Sequence, residues 1–90
     1  MNYVLRVSVS NNHYRLYFMT LEAAEYEAQI AQEYYESKGF VFDLDTVAHR
    51  VTGILQVDDE ITVSVDIAVE SMPKCINSKN VPWRQKGVEK

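Results

Sequence analysis

The stretch ITVSVDIAV, residues 61–69, has the most regular pattern of apolar side chains in this chain. Large aliphatic side chains stand at every second position, and polar or small residues stand between them. Because successive side chains of a β-strand point to opposite faces, this alternation predicts a strand with one buried face. We expect the rest of the chain to be arranged around this strand.

Two shorter alternating segments near the N-terminus predict a β-hairpin. Apolar residues recur at every second position over residues 3–9 and again over residues 14–18. Between them, Ser10, Asn11 and Asn12 supply turn chemistry, because Asn tolerates a positive φ and bonds to its own backbone. The two strands are therefore expected to pair directly.

One helix is predicted over about residues 20–38. Thr20 is placed to act as the N-cap, Glu22 in the first turn suits the positive end of the helix dipole, and Gly39 stands where a C-cap glycine belongs. At 100° per residue the apolar side chains form one stripe, flanked by Ile30 and Tyr34. The stripe consists of Leu21, Ala24, Ala28, Ala31 and Tyr35.

The segment between the helix and residues 61–69 predicts further strands at 40–42 and 47–57, with Gly53 as a candidate bulge. The element order is ββαβββ, or ββαββ if residues 40–44 are irregular. This order predicts an α+β fold in which a single helix packs on one face of one antiparallel sheet.

The composition changes at Ser71. Residues 1–70 are expected to form a compact domain, and residues 71–90, with two prolines and no periodicity, a basic extended tail. Within the tail, Trp83 is either an exposed docking residue or a residue that folds back onto the open face of the sheet. The sequence leaves both readings open.

Several classes of protein are disfavoured by the composition. The longest uninterrupted apolar run is four residues, 16–19, whereas a membrane-spanning helix needs roughly 20. Cys75 is the only cysteine, so no intrachain disulfide can form. We therefore expect a cytoplasmic protein that does not associate with membranes.

The charge is unevenly divided along the chain. Residues 1–70 contain twelve acidic and four basic residues, a formal charge of −8, and residues 71–90 contain five basic and one acidic, a charge of +4. An acidic body is repelled by nucleic-acid phosphates, so we expect no direct nucleic-acid binding. Long-range attraction favours instead a protein partner with a basic surface, although the charge can equally serve solubility alone.

The predicted helix places acidic side chains on the face opposite its apolar stripe. At 100° per residue, four glutamates fall within an arc of about 80°, with an aromatic side chain at its edge. A solvated helix face and a partner-binding surface both have this pattern. The candidate partner-binding residues are Glu22, Glu25, Tyr26, Glu33 and Glu36, together with Asp58 and Asp59 in the acidic turn that follows.

The stretch FVFDLDTV, residues 40–47, resembles the first motif of the haloacid-dehalogenase-like phosphatases. That resemblance implies a Mg²⁺-dependent hydrolase in which Asp43 is the nucleophile and Asp45 the general acid/base. The family also requires, in order, a downstream Ser or Thr, a Lys and a further acidic pair, and only 43 residues follow Val47. We therefore interpret the match as coincidental and predict a protein that is not an enzyme, with no cofactor and no metal site.

In size, charge and ββαββ layout, the chain resembles the small acidic phage-encoded inhibitors of bacterial defence systems, such as anti-CRISPR proteins. The resemblance implies a protein-binding inhibitor or adaptor whose acidic surface occupies a basic site on its partner, including a site that binds nucleic acid. It transfers no residue roles, because those proteins share no common motif. The alternatives are a homodimeric structural module and the minimal phosphatase that uses Asp43 and Asp45.

Overall fold

The computed structural model describes residues 2–43, 50–71 and 77–84. In these residues the chain forms one antiparallel sheet and one α-helix, as the sequence predicts. The elements in chain order are β1 (Tyr3–Val9), β2 (Asn12–Phe18), α1 (Leu21–Ser37), β3 (Val41–Phe42), β4 (Arg50–Gln56), β5 (Thr62–Ser71) and a 3₁₀ turn (Pro82–Arg84).

The five strands have the order β2-β1-β5-β4-β3, so the strand predicted most strongly from the sequence lies at the centre of the sheet. Val65, Ile67 and Val69 are its buried residues, and they face α1 in the core. The strand begins one residue later than predicted: Ile61 precedes it and is 52% exposed. Every pair of neighbouring strands is antiparallel.

The predicted N-terminal hairpin is present, and its two strands pair from Tyr3–Phe18 to Val9–Asn12. The connection is therefore two residues long. Its positive φ, 53°, belongs to Ser10 and not to Asn11. A positive φ at the first central residue lets a two-residue turn follow the right-handed twist of its strands.

Both ends of α1 have the expected caps. The Thr20 hydroxyl accepts a hydrogen bond from the backbone N–H of Ala23 at 3.1 Å. At the other end Gly39 has a φ of 105°, its N–H donates to the Glu36 carbonyl, and the Phe40 N–H donates to the Tyr35 carbonyl. This pair of bonds is a Schellman motif, and the Tyr35 and Phe40 rings pack edge to face across it.

Gly53 is not a bulge, and that prediction is wrong. Strand β4 pairs with β5 residue for residue from Arg50–Ala68 to Gln56–Thr62, without an insertion. The glycine instead makes room for an aromatic ring, because a Cβ built at Gly53 would lie 2.7 Å from the Phe42 ring of the neighbouring strand. The absence of a side chain therefore serves packing between strands.

Residues 77–84 pack against the domain. The Ser78 N–H donates to the Arg15 carbonyl at 2.7 Å, and the Asn77 side chain accepts from the Tyr17 N–H, so this segment lines the outer edge of β2. Val81 and Trp83 are buried in the core between β2 and α1. Trp83 is thus neither an exposed docking residue nor a cover for the open face. The rest of the predicted tail, 72–76 and 85–90, lies outside the described residues.

Candidate partner-binding surface

Helix α1 carries five glutamates and no Lys or Arg between Leu21 and Ser37. Four of these glutamates are exposed, as predicted. We call them the acidic ridge; they are Glu22, Glu25, Glu33 and Glu36. The ridge therefore lies on a regular element that is capped at both ends and anchored through its opposite face.

Two glutamines orient the carboxylates in the second half of the ridge. The Gln29 Nε2 donates to Glu33 Oε2 at 3.4 Å, and the Gln32 Nε2 donates to Glu36 Oε2 at 3.2 Å. Both are contacts between residues i and i+4, which are neighbours on a helix surface. Because an amide carries no net charge, these bonds restrict the carboxylates without neutralising them.

Lys38, the first basic residue after the ridge, contacts an aromatic ring of the helix. The Lys38 ammonium lies 5.2 Å from the centre of the Tyr34 ring, in a cation–π contact. Tyr26, at the edge of the ridge, is 70% exposed, as predicted from its helical position. The ridge thus combines negative charge with an accessible aromatic side chain.

Asp58 and Asp59 lie on a separate element, the exposed turn between β4 and β5. The Asp58 Oδ1 accepts hydrogen bonds from the backbone N–H groups of Glu60 and Ile61, at 2.8 and 3.0 Å. Asp58 therefore closes the turn with its own side chain, a common use of aspartate in turns.

The fifth glutamate of the helix, Glu27, is a residue that the sequence analysis missed. It is buried in the core, and its Oε2 accepts from Trp83 Nε1 and from Arg84 Nε, each at 2.7 Å. Burial raises the pKa of Glu27, but the hydrogen bonds from Arg84 and Trp83 and the Arg84 charge outweigh it and leave that pKa below its usual value. Its position beside the apolar stripe is the signal that could have revealed it, since a buried acid requires a partner.

An open groove of about 370 Å³ lies beside the ridge, between α1 and strands β4 and β5. We call it the α1–β4 groove. Helix residues form one side, and they include Glu25 and Glu33 of the ridge. The remaining lining residues are Ala28, Gln29, Gln32, Arg50, Val51, Ile67 and Val69. Ridge and groove are therefore parts of one continuous surface.

The sheet face opposite the helix is largely polar. Arg6 pairs with Glu70 at 3.4 Å, and the Thr52 hydroxyl donates to Asp66 at 2.8 Å. Its apolar residues include Val4, which is fully buried, and, at the β3–β4 corner, the cross-strand partners Val41 and Ile54, which are 74% and 50% exposed. Most of this face is therefore polar, and the acidic ridge remains the main candidate surface.

The structural context of the phosphatase-like motif differs from that of the family it resembles. Asp43 is exposed and follows the two-residue strand β3, which pairs antiparallel with β4. The Asp43 N–H donates to the Thr52 carbonyl at 3.1 Å, and Asp45 lies outside the described residues. In the family the motif ends a parallel strand. Across the described ranges, no three His, Cys, Asp or Glu side chains are grouped so that they could hold a metal ion.

Comparisons of this chain with known proteins found no similar protein. No family model matches the chain, and neither the curated proteins nor the solved structures include a significant match. Within the part of the chain that the structure describes, no helix is both long and apolar enough to span a membrane.

Proposed function

We propose that this protein is a non-enzymatic inhibitor or adaptor that binds a protein partner through its acidic ridge. The ridge occupies a basic site on that partner, and a site that otherwise binds nucleic acid is the target we favour, as for anti-CRISPR-type proteins. One observation carries the proposal: four exposed glutamates stand on one helix that contains no Lys or Arg.

The geometry of a helix supports this role. At 1.5 Å per residue the ridge is about 21 Å long from Glu22 to Glu36, which is comparable to several phosphates along a nucleic-acid strand. Charges at the rim of an interface mainly raise the association rate, whereas a desolvated carboxylate paired with Arg contributes several kcal/mol. Tyr26 adds an anchoring side chain, and Asp58 and Asp59 add negative charge at a second position.

The experiment begins with affinity capture from the native host, using the tagged protein, and sizing of the recovered complex by light scattering. A stoichiometric complex with a second protein is the expected result. Its affinity, measured by calorimetry, should weaken markedly as salt rises from about 0.05 to 0.5 M, because the Debye length then falls below the charge spacing. A complex insensitive to salt would contradict the electrostatic mechanism.

Charge variants then test the ridge itself. Reversing Glu22, Glu25, Glu33 and Glu36 to lysine should abolish binding and leave the fold intact, since these side chains are exposed. A milder pair of variants gives a matched comparison. Replacing Glu36 by Gln should weaken binding, whereas replacing Glu70 by Gln removes the same charge on a sheet strand and should not. Equal affinities for the two would locate the interface away from the ridge.

The second candidate function is a homodimeric structural module. Its specific support is the exposed aliphatic pair Val41 and Ile54 at the β3 edge of the sheet, because an edge strand can pair with a second copy. A self-dimer in light scattering, with no second protein recovered, would favour it. Val41→Lys should then return the dimer to a monomer.

The enzymatic alternative has a direct test. We expect no Mg²⁺-dependent hydrolysis of para-nitrophenyl phosphate. Steady turnover that Asp43→Asn abolishes would establish the phosphatase function instead.

A further inference from the structure

We infer that the α1–β4 groove binds an apolar side chain of a basic segment of the partner protein. This inference rests on the proposed function, because it assigns to the partner an anchor beside the cations that meet the ridge. The observation behind it is that Glu25 and Glu33 belong to the ridge and also line the groove.

The groove offers an apolar surface for such an anchor. Ile67 and Val69, which are 2% and 8% exposed, form its floor, and the half-buried Val51 and Ala28 form its walls on the sheet side and the helix side. Its volume of about 370 Å³ is within the range of roughly 300–1,000 Å³ that is usual for ligand pockets. The helix residues Gln29 and Gln32 add amide groups, which can donate to and accept from an extended main chain.

The charges of the groove specify the sequence around the anchor. Carboxylates of Glu25 and Glu33 stand on the helix side, so Lys or Arg residues flanking the anchor gain from facing the helix. Arg50 borders the groove as well, but it pairs with Ala68 and also lines a pocket with Arg6 and Glu70 on the opposite face of the sheet. The structure thus favours an aliphatic residue flanked by basic residues over a purely cationic strand.

Two acetylated and amidated pentapeptides serve as probes: Lys-Lys-Leu-Lys-Lys and Lys-Lys-Gly-Lys-Lys. They carry the same charge and differ only in the central side chain. Titration into the ¹⁵N-labelled protein at low salt should show the leucine peptide binding about tenfold tighter, as partial burial of one leucine predicts. The leucine peptide alone should shift the amide signals of Val51, Ile67 and Ala28.

A pair of alanine substitutions provides the matched control. Ala28→Leu fills the groove and should remove the preference for the leucine peptide, whereas Ala23→Leu makes the same change on an exposed part of the helix and should preserve it. Thermal melting shows whether each variant is folded. If the Ala28→Leu variant is unfolded, the amide signals that the leucine peptide shifts in the wild-type protein show whether the groove is occupied.

The outcomes separate this inference from the proposed function. If the two peptides bind with equal affinity and shift only amide signals of the ridge, the groove does not bind the anchor and the ridge remains a cation-binding surface. Leucine-dependent shifts at Val41 and Ile54 would also overturn it, by moving the apolar contact to the β3 edge. If neither peptide binds, the ridge and the groove both fail.

Discussion

Replacing Trp83 by Ala should destabilise the whole domain, although residue 83 lies in a segment whose composition resembles a disordered tail. The indole is 2% exposed, its ring meets Tyr14 edge to face at 5.8 Å, and its N–H donates to Glu27. Truncation to Ala removes all three contributions together. It also leaves the Glu27 carboxylate with one hydrogen-bond donor fewer in a buried position.

The size of the effect follows from these contacts. Truncation of a buried Trp to Ala costs about 3–5 kcal/mol, and the aromatic pair accounts for about 0.5–1.5 kcal/mol of such an effect. We expect a loss of about 4 kcal/mol in the free energy of unfolding. For a domain of this size each kcal/mol corresponds to about 4–8 °C, so the melting temperature should fall by roughly 16–32 °C.

Thermal and urea denaturation followed by far-ultraviolet circular dichroism measure this loss, since the variant has no tryptophan to report by fluorescence. Tyr26→Ala is the matched control, because it removes an aromatic ring that is 70% exposed, and it should change the stability by no more than about 0.5 kcal/mol. Trp83→Phe keeps a ring and loses the N–H, so its cost should fall between the two. Equal melting of Trp83→Ala and the wild-type protein would refute the packing of residues 81–84 into the core.

Three further predictions concern other contacts of the core. The pKa of Glu27 is lowered in the folded state, so its ion pair stabilises the protein above the usual glutamate pKa and is lost as pH falls through the folded value. The stability advantage of the wild type over Glu27→Gln, from urea titrations, should therefore shrink below about pH 4.5, and an advantage independent of pH would contradict it. Gly53→Ala should lower the free energy of unfolding by about 1–3 kcal/mol in the same assay, because the new Cβ meets the Phe42 ring. Adding Phe42→Leu should recover part of that loss. Full stability of Gly53→Ala alone would disprove the clash. Burial raises the pKa of Tyr35 to about 12, so its contribution is complete below the usual tyrosine pKa of about 10 and is lost towards pH 12; an alkaline unfolding profile in which Tyr35→Phe loses as much stability as the wild type would argue against this.

Features that depend on local periodicity could be predicted from the amino-acid sequence. The alternation over residues 61–69 required a half-buried strand, and the 100° spacing of glutamates placed Glu22 and Glu36 on the exposed side of the helix. Thr20 and Gly39 marked the ends of that helix, because caps are defined by a few consecutive residues. Each of these predictions rests on neighbours within one element.

Features that join distant parts of the chain could not be predicted in this way and emerge only in the folded structure. The position of β5 between β1 and β4 brings the groove beside the ridge, and no local pattern specifies strand order. Glu27 and Trp83 are 56 residues apart in the sequence, and they form a buried hydrogen-bonded pair. The local pattern places the glutamate on a helix surface and the tryptophan in an extended tail. Gly53 likewise acquires its role from Phe42 on another strand. The physical reason is common to all three: burial and pairing depend on which elements meet in space.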